Sequence, residues 1–292
     1  MHLVDTTTAS LPDRLQRFAQ ACVVTPEGSV DYRQAGPGTL AVTHVLLHGI
    51  GSGSASWLMQ LEAAELSGIA RVLAWEAPGY GRSSPVTPLQ PSAGDYASRL
   101  WAWLDSLGIR YPVTLVGHSL GALMATRAAL QRPDHVDKLV LLAPAQGYAR
   151  ASEEDRDEKL TARLANLGTF GPQGMAQKRG AAMLSPQADP ALVAYVQSVM
   201  AQVHPDGYTQ ACYLLSRGDL LADLVKLSCP VVVASGLADV ITPAAGCQQV
   251  AATAGVPWTN LGNAGHACAL DASEQVNTLL GLAGQTRSGA AA

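Results

Sequence analysis

Residues 115–125 read LVGHSLGALMA: an apolar run, then Gly117-His118-Ser119-Leu120-Gly121, then an Ala/Leu-rich run. The apolar run has the look of a buried strand and the Ala/Leu run that of a helix, so the serine falls on the turn between them. Glycines two residues to either side let strand and helix approach closely around a strained turn. Such a turn lifts the hydroxyl above the sheet edge and aims the following helix N-terminus at whatever the hydroxyl attacks.

The same alternation extends outward in both directions. ACVVTPEGSVDYRQAG (21–36) reads as two short strands around a Pro-Glu-Gly-Ser turn. HVLLHG (44–49), RVLAWEAPGYG (71–81), VTLVGHS (113–119) and VDKLVLLAPA (136–145) each begin as a buried strand. Helical patterns fill 56–68, 92–108 and 120–133; the first closes at Gly68 and the last before Pro133. Strands apolar on both faces, alternating with helices, imply an α/β fold: a mostly parallel sheet flanked by helices.

The rhythm breaks after about residue 146. Residues 146–218 hold helical patterns and no convincing strand, and Glu153–Lys159 reads as a solvated helix face. Strands resume at CPVVVASGLAD (229–239) and PWTNLG (257–262), a last helix is expected over about 271–283, and 284–292 reads as a loose tail. The expected organisation is a core domain of residues 1–145 and 219–292 with a helical insertion at 146–218.

Composition narrows the function classes. Hydrophobic residues make up 48% and charged residues 14% of 292, enough for a sizeable core. A formal net charge of -4 gives no electrostatic reason to expect nucleic acid or anionic membrane as partner. Five scattered cysteines, without CxxC spacing, disfavour a disulfide framework or a zinc site. The first residues lack the apolar core of a secretory signal, and no apolar run nears the roughly 18 residues that span a bilayer. The expected setting is the cytoplasm, with a small-molecule substrate and no metal or organic cofactor; a homo-oligomer is compatible with the sequence.

A serine is a poor nucleophile at neutral pH and needs a base to take its proton. Of seven histidines, His266 in LGNAGHACALD sits in a small-residue loop between the last strand and the last helix, and is the candidate base. His48 and His118 lie in glycine-bearing loops and suit neutral packing; His2 lies near the chain start. Asp239 closes the strand VVVASGLAD, where an aspartate is costly unless paired, and is the candidate orienting carboxylate. The backbone NH groups of Leu120, at the helix start, and Ile50, in HGIGSGSASW, are the candidate oxyanion donors.

LLHGIGSGSASW, WEAPGYGRSS, GHSLGA, LVLLAPA, SGLADVITP and GNAGH, in that order, resemble the α/β-hydrolase family. The resemblance implies an eight-stranded sheet, a helical cap over the site, and a triad of Ser119, Asp239 and His266. Serine at 119 sets the chain apart from aspartate-nucleophile members. Within the family it is similar to 3-oxoadipate enol-lactonases through HPDGYTQACYLLSRGDLLADL, and to C–C hydrolases of aromatic ring-fission products through Pro78–Ser83. The latter carry a tryptophan after the catalytic histidine, where this chain has Ala267. The expected activity is hydrolysis of a small carboxylic ester or lactone through an acyl-enzyme. C–C cleavage, acyl transfer or perhydrolysis, and a non-catalytic ligand receptor are the alternatives. Candidates for substrate contact are Gly49 and His118 near the serine, and Phe170, Met175, Arg179, Met183, Tyr208 and Tyr213 in the insertion.

Overall fold

The computed structural model describes residues 9–283. The expectations placed on the chain start, including His2, and on the tail 284–292 lie outside it. Eight strands are present: β1 (Ala21–Thr25), β2 (Gly28–Ala35), β3 (His44–Leu47), β4 (Val72–Trp75), β5 (Val113–His118), β6 (Val136–Leu142), β7 (Val231–Ser235) and β8 (Trp258–Asn260). They form one sheet in the order β1-β2-β4-β3-β5-β6-β7-β8. The first two pairings are antiparallel and the remaining five parallel.

The helices are α1 (Leu11–Gln16), α2 (Leu58–Ser67), α3 (Ala93–Ser106), α4 (Gly121–Gln131), α5 (Glu153–Arg179), α6 (Pro190–Met200), α7 (Pro205–Arg217), α8 (Leu220–Leu224), α9 (Ala244–Thr253), α10 (Cys268–Asp271) and α11 (Ser273–Leu279). Gly68 ends α2 in the left-handed conformation, φ 65°. At the start of α3 the Asp95 carboxylate accepts from the Ser92 amide at 2.7 Å. Of the helix expected at 271–283, α11 forms over 273–279; a separate short helix, α10, precedes it, and Ala272 between the two leaves the helical conformation (φ -129°, ψ 46°). Helix α1 has no counterpart in the sequence reading; Ser10 caps it and its arginines reach α2, Arg14 bonding Glu62 from Nε at 2.9 Å.

Alternation along the strands sorts the core into two layers. Val45, Leu47, Leu73, Trp75, Leu139 and Leu141 face a cluster with α3 and α4, whose Trp103 and Leu104 are fully buried. Leu46, Val72, Ala74, Val116, Val140 and Leu142 face the other way, onto α2, α10 and α11. The chain runs from β3 out to β4 and back to β5 on the other side of β3. In an open parallel sheet such a reversal opens a crevice at the carboxyl ends of the strands. Gly49 and Ile50 follow β3 there, and Ser119 follows β5.

Helices α5, α6 and α7 occupy the sequence between β6 and β7. Residues 153–155 and 157–159 are exposed, as a solvated face requires. The helix α5 is kinked at Gly171 (φ 57°, ψ 177°), just before Pro172, whose ring cannot continue an unbroken hydrogen-bond ladder. Hydrogen bonds tie this insertion to the rest: the Ala267 amide donates to the Met183 carbonyl at 2.7 Å, and the Tyr195 hydroxyl donates to the Ala55 carbonyl at 2.8 Å. No described helix is long and apolar enough to cross a membrane.

Candidate active site

Ser119 has φ 53°, the left-handed region that a side-chain-bearing residue adopts only when its surroundings force it. The forcing contacts are explicit. The Ser119 amide donates to the Leu142 carbonyl at 3.0 Å, and its carbonyl accepts from Ala145 and Ala122, each at 3.1 Å. A Cβ at Gly121 would stand 2.2 Å from the Leu47 carbonyl oxygen, and one at Gly117 would stand 2.5 Å from the Gly121 oxygen. Both glycines are therefore required for α4 to cross over β5 and β3 at this distance.

The loop after β3 closes on the same point. A Cβ at Gly49 would lie 3.0 Å from Ser119 Cβ and 3.5 Å from its Oγ. His48 holds this loop through both ring nitrogens: Nδ1 donates to the Gly49 carbonyl at 2.8 Å, and Nε2 accepts from the Ala77 amide at 3.0 Å. That pattern requires neutral imidazole, and burial pushes its pKa down. The Tyr80 hydroxyl donates to the Ile50 carbonyl at 2.7 Å. Among the described residues the amides of Ile50 and Leu120 donate to no backbone carbonyl, and both residues line the cavity above Ser119.

Asp239 follows β7 and His266 follows β8, and the two meet beyond the ends of these neighbouring parallel strands. His266 Nδ1 lies 2.9 Å from Asp239 Oδ2. The other carboxylate oxygen accepts from the amides of Ile241 (2.8 Å) and Thr242 (2.9 Å). Thr242 Oγ1 lies 2.7 Å from Asp239 Oδ2 and 3.1 Å from both His266 Nδ1 and the Ala143 carbonyl oxygen. Burial works to raise the Asp239 pKa, but the His266 bond and charge and the two Thr242 donors outweigh it and hold it below the usual carboxylate value. With the carboxylate ionised, Nδ1 carries the imidazole proton and Nε2 is left with a lone pair.

Two further residues fix the histidine. His118 Nε2 donates to the His266 carbonyl at 2.8 Å, with the rings 4.9 Å apart. Burial, and next the neighbouring His266, push the His118 pKa down to about 3, so it stays neutral. Asp271 accepts from the amides of Gly265 and Ser185, each at 2.7 Å, clamping the loop before His266 to the insertion.

Ser119 and His266 line one cavity, together with Gly49, Ile50, His118 and Leu120. Ser119, Asp239 and His266 are 6%, 4% and 2% exposed, so the site is roofed. Among the described residues no hydrogen bond joins Ser119 Oγ to His266. Such contacts are often long before substrate binds. The arrangement offers a hydroxyl, a lone-pair imidazole steadied by a carboxylate, and two free amides: the parts needed for acyl transfer.

The roof comes from the insertion. Met175, Arg179, Met183 and Tyr208 line the cavity, as do Tyr148, Arg163, Val196, Val199, Met200 and Leu215. Phe170 and Tyr213 do not. Phe170 precedes the α5 kink on an outward face, where Lys178 sits over its ring at 3.6 Å; Tyr213 carries Arg217 over its ring at 5.8 Å. Both therefore drop out as substrate contacts. Sequence reasoning missed Thr242, Asp271 and Arg163. Thr242 could have been found from its spacing of three from Asp239, which suits an Asx turn; Arg163 gave no local signal. Among the described residues no group of three or more His, Cys, Asp or Glu is placed to hold a metal.

The model of the alpha/beta hydrolase family matches residues 45–279. The chain belongs to the alpha/beta hydrolase family. It is a hydrolytic enzyme of that type. The putative carbamate hydrolase RutD of Klebsiella pneumoniae is 29% identical to this hydrolase over 244 residues, 81% of this chain and 88% of the relative. An esterase from Thermogutta terrifontis superposes with TM-score 0.78 at 21% identity, over 90% of this chain and 96% of the other. An enol-lactonase from Burkholderia xenovorans does so with TM-score 0.78 at 20% identity, over 90% and 99%. At those identities the structural likeness is one of fold.

Proposed function

We propose that the hydrolase cleaves a small carboxylic ester or lactone through an acyl-enzyme on Ser119. The observation that carries this reading is the His266–Asp239 pair, made at 2.9 Å, facing the cavity into which the strained Ser119 turn projects. In this reading Ser119 Oγ turns toward His266 Nε2, with which it shares the cavity, when substrate binds. As Oγ attacks the substrate carbonyl, Nε2 takes its proton, and Asp239 steadies the resulting imidazolium. The negative charge that develops on the carbonyl oxygen is met by the amides of Ile50 and Leu120. Collapse of the tetrahedral species returns the proton from Nε2 to the leaving oxygen and leaves the acyl group on Ser119. Water then attacks, giving its proton to Nε2, and the acid departs as Ser119 recovers its proton.

The insertion supports a small substrate with apolar character, since methionine, valine and leucine side chains predominate on the roof. A carbamate, the substrate class named for the putative carbamate hydrolase RutD, presents a carbonyl to the same machinery. The test is a panel of short aryl esters, five-membered lactones, aryl carbamates and a dienone ring-fission product, run with wild type and Ser119→Ala. Ester or lactone turnover lost in the variant, with a fluorophosphonate adduct on Ser119, supports the reading. Preferred cleavage of the dienone overturns it in favour of C–C hydrolysis, and turnover surviving in the variant overturns the acyl-enzyme.

A further inference from the structure

A guanidinium cannot shed its proton, so one that faces an apolar cavity needs an anion or carbonyl acceptors. Other arginines of the described residues have one or the other: Arg82 lies 2.8 Å from Asp31, Arg127 2.7 Å from Asp223 and Arg132 2.8 Å from Asp105, while Arg33 donates to the Phe18 carbonyl and Arg99 to the carbonyls of Ser84 at 3.0 Å and Pro85 at 3.3 Å. Arg163 and Arg179, both half-buried on α5, differ. They line the cavity above Ser119 beside Met175, Met183 and Leu215, and among the described residues neither forms an ion pair with an aspartate or glutamate.

The groups that do face Arg163 carry no compensating charge. Its Nη2 donates to the Tyr148 hydroxyl at 3.0 Å. Tyr208 and Cys212 are its other polar neighbours. Burial pushes the Tyr208 phenol up and the Cys212 thiol up to about 12, so both stay protonated at neutral pH. Lys159, 5.7 Å from the Tyr148 ring centre, adds a further positive charge. Arg179 stands in the last turn of α5, where helix carbonyls offer partial negative charge. Arg163 lies mid-helix, eight residues before the Gly171 kink, and has no such compensation.

We propose that the substrate is an anion: an ester or lactone with a carboxylate at the end remote from the scissile carbonyl, held by Arg163 and Arg179. This rests on the Ser119 reading above. The floor of the cavity takes the reacting carbonyl and the two arginines of the roof take the remote carboxylate, so length and charge together select the substrate. A charge-assisted bond in a partly desolvated site is worth enough to favour the anion by roughly tenfold to a hundredfold.

The experiment compares mono-4-nitrophenyl glutarate with its methyl ester, which has the same acyl chain but no charge. Wild type is expected to show kcat/KM at least about tenfold higher for the anion, mainly through KM. In Arg163→Gln/Arg179→Gln that ratio falls to one or below, and in Arg163→Lys/Arg179→Lys, which keeps the charge, part of it survives. A wild-type ratio near one, or a ratio unchanged in the Gln variant, overturns the proposal; should the double Gln variant not fold, Arg163→Gln and Arg179→Gln are measured singly, each expected to lower the ratio, and an unchanged ratio in both overturns the proposal. Calorimetric titration of Ser119→Ala with glutarate separates the two readings. Binding that disappears when both arginines are replaced supports the anion pocket even if Ser119 proves not to be the nucleophile. No binding to Ser119→Ala at millimolar glutarate overturns it.

Discussion

The floor and the roof of the cavity are built by opposite means. On the floor, Ser119, Asp239, His266 and His48 are each held by two or more named hydrogen bonds, and Gly117 and Gly121 leave no room for a Cβ. On the roof, flexible methionines and aliphatic side chains supply most of the surface, α5 is kinked, and two arginines lack carboxylates. The floor can adopt one arrangement and the roof can be re-lined without disturbing it. On the proposed reading, reaction type belongs to the sheet and substrate choice to the insertion.

The sharpest way to break this division is at the proposed nucleophile. Ser119→Ala should lower kcat by at least about a thousandfold while thermal unfolding stays within a few degrees, because the bonds that shape the turn come from its backbone. A large loss of stability would mean that the hydroxyl serves the fold.

Glycine substitutions test the same contrast through packing. Gly121→Ala forces a Cβ against the Leu47 carbonyl and should cost about 3 kcal/mol or more in urea unfolding. Gly171→Ala, at φ 57° and ψ 177° but with open space around it, adds backbone strain without a clash and should cost less, about 1–3 kcal/mol. Equal costs would show that the insertion is as constrained as the floor.

Acid should attack the floor first. His118 has a folded pKa of about 3 against 6.5 when free, so the unfolded chain takes a proton that the folded one refuses. Stability then falls as pH drops below 6.5, by up to about 3 kcal/mol on reaching pH 4. His44, pushed down to about 4 by burial, adds to the same slope. Asp239, held below its ordinary 3.8, keeps its contribution until more acidic pH and loses it only as pH falls through its own folded value. His118→Gln keeps a donor for the His266 carbonyl and should flatten the slope; an unaltered slope would place the sensitivity elsewhere.

Smaller effects refine the picture. Thr242→Val removes the hydroxyl 2.7 Å from Asp239 and should reduce kcat about tenfold with KM little changed. Phe170→Ala and Tyr213→Ala should leave KM within about twofold of wild type, whereas Met175→Ala should alter it for the longer acyl chains.

Much of the floor was legible in the chain. Alternating buried strands and helices gave the sheet, and Gly-x-Ser-x-Gly gave the turn, because both depend on periodicity and on local backbone freedom. Asp239 stood out as a carboxylate at the end of an apolar strand. The roof resisted, since a helical residue in an insertion looks alike whether it faces a cavity or solvent. Phe170 and Tyr213 had the right chemistry and the wrong face, while Arg163 had the right face and no distinguishing neighbours. The four-residue helix α10 went unread because so short a segment shows no helical period.

Residue type and spacing by themselves determined a parallel sheet interrupted by helices, a strained serine turn, and which histidine and aspartate follow the last strands. These are properties of segments a few residues long, governed by sterics and burial within each segment. Only the tertiary structure decided that His118 and Asp271 brace the histidine loop, that Thr242 sits on the carboxylate, and that two arginines from one kinked helix share the apolar cavity. Those relations join residues as far apart as 118 and 266, and their geometry comes from how layers pack.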